Sequence, residues 1–151
     1  MPRIVREADA TWEGTTARGS GTVTAASSAT FAELPMTLAS RIAVHQGKTS
    51  PEELLAAAHA ACFITSLGSE LARAGTPPER MAVRCTITMD EVEGGHHRIV
   101  ASAIDATAWA SGADVELLDR VSREADEGCP FSALIRASAE VSVTARLGEE
   151  E

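Results

Sequence analysis

The sequence predicts an α+β domain in which helices pack on an antiparallel sheet. Three observations predict this class: a long helix with clear end signals in mid-chain, apolar–polar alternation on either side of it, and two helical segments near the C-terminus. The chain has 151 residues, a length typical of one domain. We therefore expect a single domain over residues 1–151.

Two short strands are expected near the N-terminus. The segments READATWEG and GSGTVTAASS are strand-like, and the turn-prone GTTARG joins them. Residues 28–49 mix strand and loop signals, and the sequence leaves their elements open.

The long central helix has strong signals at both ends. Ser50 suits the N-cap, Pro51 the first helical position, and Glu53 completes a capping box. Gly75 and two prolines follow, so we expect the helix to end at about Ala74.

The remaining chain predicts a hairpin, two helices and a strand. Residues 81–93 alternate between apolar and polar side chains, EGGHH forms a turn, and RIVASAIDATAWA is the return strand. VELLDRVSREADEG predicts a helix that Gly128 ends, and Pro130 opens the short helix PFSALIRA. AEVSVTARL alternates again and predicts the final strand.

Composition argues against several classes of partner. The formal net charge of −9 disfavours nucleic acid and anionic membranes. We expect no membrane span, because no stretch approaches about 20 apolar residues. The N-terminal segment lacks the apolar region of a signal peptide, so a cytoplasmic location is expected.

The three cysteines need separate interpretations. An odd count in a reducing compartment argues against a disulfide scaffold. Cys85 lies on the apolar face of a strand, where a buried packing role is expected. Cys129 precedes Pro130 at a helix start, so the helix dipole favours its ionisation. Cys62 lies twelve residues beyond its helix N-cap and would need a side-chain cation to become a thiolate.

His59 and Cys62 lie three residues apart, on one helix face. They could form half of a metal site, but no second pair completes it. A buried structural role is therefore the favoured interpretation of His59, and Cys62 could likewise be a packing cysteine.

Two motifs stand far apart in the chain, TSPEELLAAAHAACF and, well downstream, GCPFS. Together they resemble the paired signature of the OsmC/Ohr family of thiol peroxidases, and the similarity extends over nearly the whole chain. The N-terminal ATWEG and RGSGTV resemble the osmotically inducible branch more than the organic hydroperoxide resistance branch.

The resemblance implies an intertwined homodimer with an OsmC-like fold and two active sites at its interface. It implies that Cys62 is the peroxidatic cysteine and Cys129 the resolving cysteine. It also implies an arginine–glutamate pair, in which the glutamate is Glu52. The arginine matches Arg41 in the osmotically inducible branch, and the other branch would place it nearer Arg18. No cofactor is implied.

The helix itself separates two of these residues. Glu52 and Cys62 are ten residues apart, about 15 Å of helical rise, so they cannot touch within one helix. Either a long arginine bridges them or Glu52 comes from a partner chain. A face rich in alanine would let another helix approach closely; its members are Ala56, Ala57, Ala60 and Ala61.

The function implied is reduction of organic hydroperoxides, and of hydrogen peroxide as a further substrate, in defence against oxidative and osmotic stress. An external dithiol, such as a lipoylated protein, would reduce a Cys62–Cys129 disulfide. Apolar residues near the two cysteines could line a substrate pocket: Phe63, Ile64, Phe131 and Leu134. Two alternatives are a non-catalytic redox switch or binding protein, and a metal-binding module using His59, Cys62 and Cys129.

Overall fold

The computed structural model describes residues 2–149. The chain divides into two compact units, Met1–Leu54 and Leu55–Glu151. The expectation that the whole chain is one domain stays a prediction.

The first unit contains a three-stranded antiparallel sheet and a short helix. Strands β1 (Asp9–Glu13), β2 (Ser20–Thr24) and β3 (Leu34–Met36) pair in that order, and helix α1 (Leu38–Ile42) follows. The two predicted strands are thus confirmed. Strand β3 and helix α1 occupy the segment whose elements the sequence leaves open.

A glycine in β2 leaves room for an aromatic ring in this sheet. Gly21 pairs with Trp12 of β1. A Cβ at Gly21 would lie 2.7 Å from Trp12 Cε3 and 2.2 Å from the carbonyl oxygen of Thr11. Any larger residue would therefore displace the indole or the strand.

Helix α2 (Pro51–Arg73) begins in the first unit and continues into the second. Ser50 Oγ accepts the Glu53 N–H at 3.1 Å, which confirms the predicted N-cap. By length and composition alone, α2 is apolar enough to cross a membrane, with a mean hydropathy of 1.4. This finding corrects the expectation that no segment approaches a span, although one face of α2 packs into a protein core.

The second unit contains the rest of the predicted elements. They are β4 (Arg80–Val92), β5 (His96–Trp109), α3 (Val115–Gly128), α4 (Pro130–Arg136) and β6 (Glu140–Leu147). The α+β class is confirmed. The sheet order is β4-β5-β6, with β4 and β5 forming the predicted hairpin.

One detail of the predicted sheet is wrong, because β6 pairs parallel to β5. Helices α3 and α4 connect these strands and carry the chain back along the sheet. This is the kind of crossover that a parallel pair requires. The sheet of the second unit is therefore mixed, and not wholly antiparallel.

The core of the second unit lies between α2, β5 and α3. Phe63, Leu67 and Leu71 of α2 are fully buried, at the four-residue spacing of one helix face. They pack with buried residues of β5 and α3, namely Ile104, Ala106, Ala108, Leu118, Val121 and Ala125. This packing holds the inner face of α2, and with it His59 and Cys62.

Candidate active site

Two cysteines lie in contact within the second unit. Cys62 Sγ of α2 and Cys129 Sγ are 3.3 Å apart, and both are free thiols. Cys129 is fully buried at the junction of α3 and α4, while Cys62 is half-buried. A disulfide has an S–S distance of about 2.05 Å, so the sulfurs need to approach by only about 1.3 Å to form one.

The surroundings of Cys62 disfavour its thiolate. Burial raises the pKa of the Cys62 thiol, and the contact with the Cys129 thiol raises it further. The backbone N–H of Phe131 acts in the opposite direction and lowers the pKa. None of these three influences is a side-chain cation, so the expected need for a cation at Cys62 stands.

The start of α4 acts on Cys62 in a way that the sequence did not predict. Cys129 is the N-cap of α4, yet its side chain makes no capping hydrogen bond within residues 2–149. Phe131 is the second residue of the helix. The backbone N–H at this position commonly donates a hydrogen bond to the N-cap side chain. Here that N–H lowers the pKa of the Cys62 thiol.

Arg41 and Glu52 form an ion pair within the first unit. Arg41 lies in the last turn of α1 and Glu52 in the first turn of α2. Arg41 Nε and Nη2 lie 2.8 and 2.7 Å from Glu52 Oε1. Glu52 is mostly buried, and its Oε2 has no hydrogen-bond partner among residues 2–149. Of the two candidate arginines, Arg41 therefore has the predicted pairing, whereas Arg18 is an exposed residue between β1 and β2.

A cavity of about 220 Å³ lies beside Arg41 in the same unit. Its lining is mostly apolar and consists of Trp12, Thr16, Met36, Thr37, Leu38 and Pro51 along with Arg41. Sequence reasoning missed this cavity. Of the four residues it named instead, Phe63 belongs to the core and Leu134 is 65% exposed.

His59 is fully buried and hydrogen-bonded at both ring nitrogens. Nδ1 lies 2.7 Å from Ser102 Oγ, and Nε2 lies 2.9 Å from Ser132 Oγ. This arrangement matches the structural role expected for His59. Within residues 2–149, no group of three or more His, Cys, Asp or Glu side chains is placed to hold a metal ion. The alternative of a metal-binding module therefore has no structural support there.

The environment of His59 predicts a pH dependence of stability. Burial lowers its pKa below the ordinary value of 6.5, an effect that Asp126 opposes and Arg136 reinforces. Below that pH, His59 takes up a proton in the unfolded chain but stays neutral in the folded chain. The free energy of unfolding should therefore fall as pH falls. Denaturant unfolding at about pH 7.5 and about pH 5.5 measures this fall.

The matched control for this prediction is a second histidine. His59→Gln should reduce the pH dependence, whereas His97→Gln, at an exposed position of β5, should leave it unchanged. An unaltered dependence in His59→Gln would contradict the assignment to His59.

Comparison with known proteins places these features in a family. A family model described as OsmC-like protein matches residues 44–144. Peroxiredoxin OsmC of Escherichia coli strain K12 is 34% identical over 134 residues, which cover 89% of this chain and 92% of that protein. The same identity and coverage are found for peroxiredoxin OsmC of Shigella flexneri.

Solved structures share the fold at lower identity. The organic hydroperoxide resistance protein OhrB of Bacillus subtilis has a TM-score of 0.72 and 22% identity, covering 93% of this chain and 98% of that one. An OsmC-like protein from Mycoplasma pneumoniae has a TM-score of 0.75 and 10% identity, covering 97% and 99%. The family match and the identity to the two peroxiredoxins together show that this chain belongs to the OsmC family.

Proposed function

We propose that this chain is a thiol peroxidase that reduces organic hydroperoxides, and hydrogen peroxide as a further substrate, to alcohol or water. Its membership of the OsmC family and its 34% identity to a peroxiredoxin make it a peroxidase. The finer proposal concerns the substrate and the cysteine chemistry. The observation that carries it is the 3.3 Å contact between the Cys62 and Cys129 sulfurs.

The proposed reaction begins with Cys62. Its thiolate attacks the outer oxygen of the peroxide, the O–O bond breaks, and the alkoxide leaves and takes up a proton as the alcohol. Cys62 is then a sulfenic acid. The Cys129 thiol attacks the Cys62 sulfur and the S–O bond breaks. The hydroxide leaves as water with the thiol proton, and the Cys62–Cys129 disulfide remains. An external dithiol reduces that bond by exchange.

Arg41 and Glu52 have supporting roles in this proposal. A guanidinium stabilises both a cysteine thiolate and the negative charge that develops on the departing alkoxide. Glu52 Oε1 accepts a hydrogen bond from Arg41 Nε and lies 2.7 Å from Nη2 in the ion pair, which holds the guanidinium in one orientation. The apolar cavity beside Arg41 suits the alkyl group of an organic hydroperoxide better than hydrogen peroxide. These roles require no cofactor, and the expected setting is the reducing cytoplasm.

Arg41→Ala should raise the pKa of Cys62 and slow peroxide reduction by about ten- to a hundred-fold, the effect of losing hydrogen bonds to a charged group. The pH profile of Cys62 alkylation measures the first effect, and single-turnover oxidation the second. Arg18→Ala is the control and should change both much less. Equal effects of the two substitutions would contradict the choice of Arg41.

We further propose that the active unit is a homodimer. Ala57 and Ala61 of α2 are exposed in the single chain, and a second helix could approach such small residues closely. Light scattering or native mass measurement should show a species near twice the 15.8 kDa chain mass.

Mixing two inactive variants tests whether the partner chain supplies Glu52. Cys62→Ser and Glu52→Ala chains are unfolded together and refolded, and heterodimers are confirmed by mass. If Glu52 serves the partner's Cys62, one site in each heterodimer has both groups intact, and activity should reappear. If Glu52 serves its own chain, no site has both groups, and activity stays absent.

Steady-state kinetics with alternative peroxides and reductants tests the proposed function. Rates with an alkyl hydroperoxide and with hydrogen peroxide are compared, each with a lipoyl dithiol and with a monothiol. We expect sustained turnover, fastest with the alkyl hydroperoxide and the dithiol. A chain that is oxidised once and does not turn over under any combination would instead be a redox switch.

A further inference from the structure

We infer that His59 is a positioning residue: through Ser132, it holds helix α4 so that Cys129 stays aligned for closure of the disulfide with Cys62. The inference rests on the proposed function, because it assumes that Cys129 resolves the Cys62 sulfenic acid. Its basis is a fully buried chain of hydrogen bonds, from Ser102 of β5 through the His59 ring to Ser132 of α4.

Helix α4 needs such an anchor because it is short. It has only seven residues, and a helix of that length is unstable without tertiary contacts. Its buried side chains are Ser132 and Ile135, and Phe131 packs against the core. The His59–Ser132 hydrogen bond is the polar contact that joins these apolar ones in tying the first turn of this helix to α2. Arg136, at the other end of α4, is paired with Asp126 of α3 at 2.5 Å.

Ser132, which bonds His59, lies close in sequence to the groups that react. Ser132 follows Cys129 by three residues, so the two stand one turn apart at the start of α4. Phe131, whose backbone N–H lowers the pKa of the Cys62 thiol, lies between them. A shift of this first turn would move both Cys129 and the Phe131 N–H relative to Cys62.

The imidazole can satisfy both of its partners while neutral. A neutral ring has one nitrogen that donates and one that accepts, and a serine hydroxyl can do either. Burial lowers the pKa of His59, which keeps the ring neutral near pH 7. Cys85 Sγ also lies 3.3 Å from Ser102 Oγ, so β4 joins the same network. The two serines are thus equally buried and each bonds one nitrogen of His59, but Ser102 has Cys85 as a further partner and only Ser132 belongs to the helix that Cys129 begins.

This difference gives a matched pair of variants. Ser132→Ala removes the hydrogen bond to α4, and Ser102→Ala removes the hydrogen bond to β5, at equally buried positions. Each reduced protein is mixed with one equivalent of an alkyl hydroperoxide and quenched at intervals. Mass spectrometry then separates formation of the sulfenic acid from closure of the disulfide, and thermal unfolding measures the loss of stability in each variant.

We expect Ser132→Ala to slow closure, relative to sulfenic acid formation, by about five-fold, the effect of one hydrogen bond. More of its Cys62 should be captured by dimedone. In Ser102→Ala the disulfide should form at nearly the wild-type rate, although the variant loses about as much stability as Ser132→Ala. His59→Leu should behave like Ser132→Ala, and His59→Gln, whose amide can bond both hydroxyls, should recover part of the rate.

Two results would contradict the inference, and they can be told apart by whether wild type forms the disulfide. In the first, wild type forms the disulfide, and either Ser132→Ala forms it as fast or both serine variants slow its formation equally. His59 then has a purely structural role. If wild type itself forms no Cys62–Cys129 disulfide, the proposed resolving step is wrong and the inference falls with it.

Discussion

Replacing Cys62 by serine is expected to abolish peroxide turnover. A serine hydroxyl is not ionised near neutral pH and cannot replace a thiolate in attack on a peroxide oxygen. Side-chain volume changes little, so the helix α2 packing around Phe63 and Leu67 should persist. The measurement is peroxide consumption with excess dithiol, which should fall to the uncatalysed rate.

Cys85 supplies the control for this experiment. It is half-buried on β4, where burial raises the pKa of its thiol, and its sulfur lies 3.3 Å from Ser102 Oγ. Cys85→Ala should remain active and lose some stability, because the vacated volume is not refilled. If dimedone labelled Cys129 in the Cys62→Ser variant at the full wild-type rate, the helix-start interpretation of Cys129 would prevail, and the assignment of Cys62 would be wrong.

Replacing Cys129 by serine should stop the reaction after one oxidation. Cys62 would still react with peroxide, but no thiol would lie 3.3 Å from its sulfur to close the disulfide. The sulfenic acid should therefore accumulate and react with dimedone, and turnover with a dithiol should fall sharply. Mass spectrometry of the labelled peptide identifies the site.

The Cys129→Ser experiment also separates a packing role of Cys129 from a resolving role. A packing role would lower stability and leave turnover with a dithiol close to that of wild type. Normal turnover in Cys129→Ser would therefore contradict the resolving role, whatever its effect on stability.

Most of the secondary structure was predictable because its signals are local. The Ser50 cap marks the start of α2, and the glycine after the helix marks its end. Alternation of partly buried and exposed residues marks β4. Helix α1 was missed because it is only five residues long. Its cap is a reciprocal pair of hydrogen bonds between Thr37 and Ser40, in which serine replaces the usual glutamate. The parallel pairing of β6 was missed because strand direction depends on the route of α3 and α4, which alternation does not encode.

The candidate site was predictable in part. The resemblance of the motifs named Cys62, Cys129, Arg41 and Glu52, and the structure places the two cysteines in contact and pairs the arginine with the glutamate. The effect of the Phe131 N–H on the pKa of Cys62 was not predictable, because it depends on how α4 packs against α2. The serine partners of His59 were missed for the same reason. They are 43 and 73 residues away in sequence, and neither lies in a motif that signals contact.

Disulfide mapping after a single oxidation tests the central proposal most directly. The reduced chain is treated with one equivalent of an alkyl hydroperoxide, blocked with an alkylating agent, digested and analysed by mass spectrometry without reduction. The account predicts one intrachain disulfide between Cys62 and Cys129, with Cys85 recovered alkylated. A disulfide that includes Cys85, a disulfide between chains, or recovery of Cys62 and Cys129 as unoxidised thiols would contradict it.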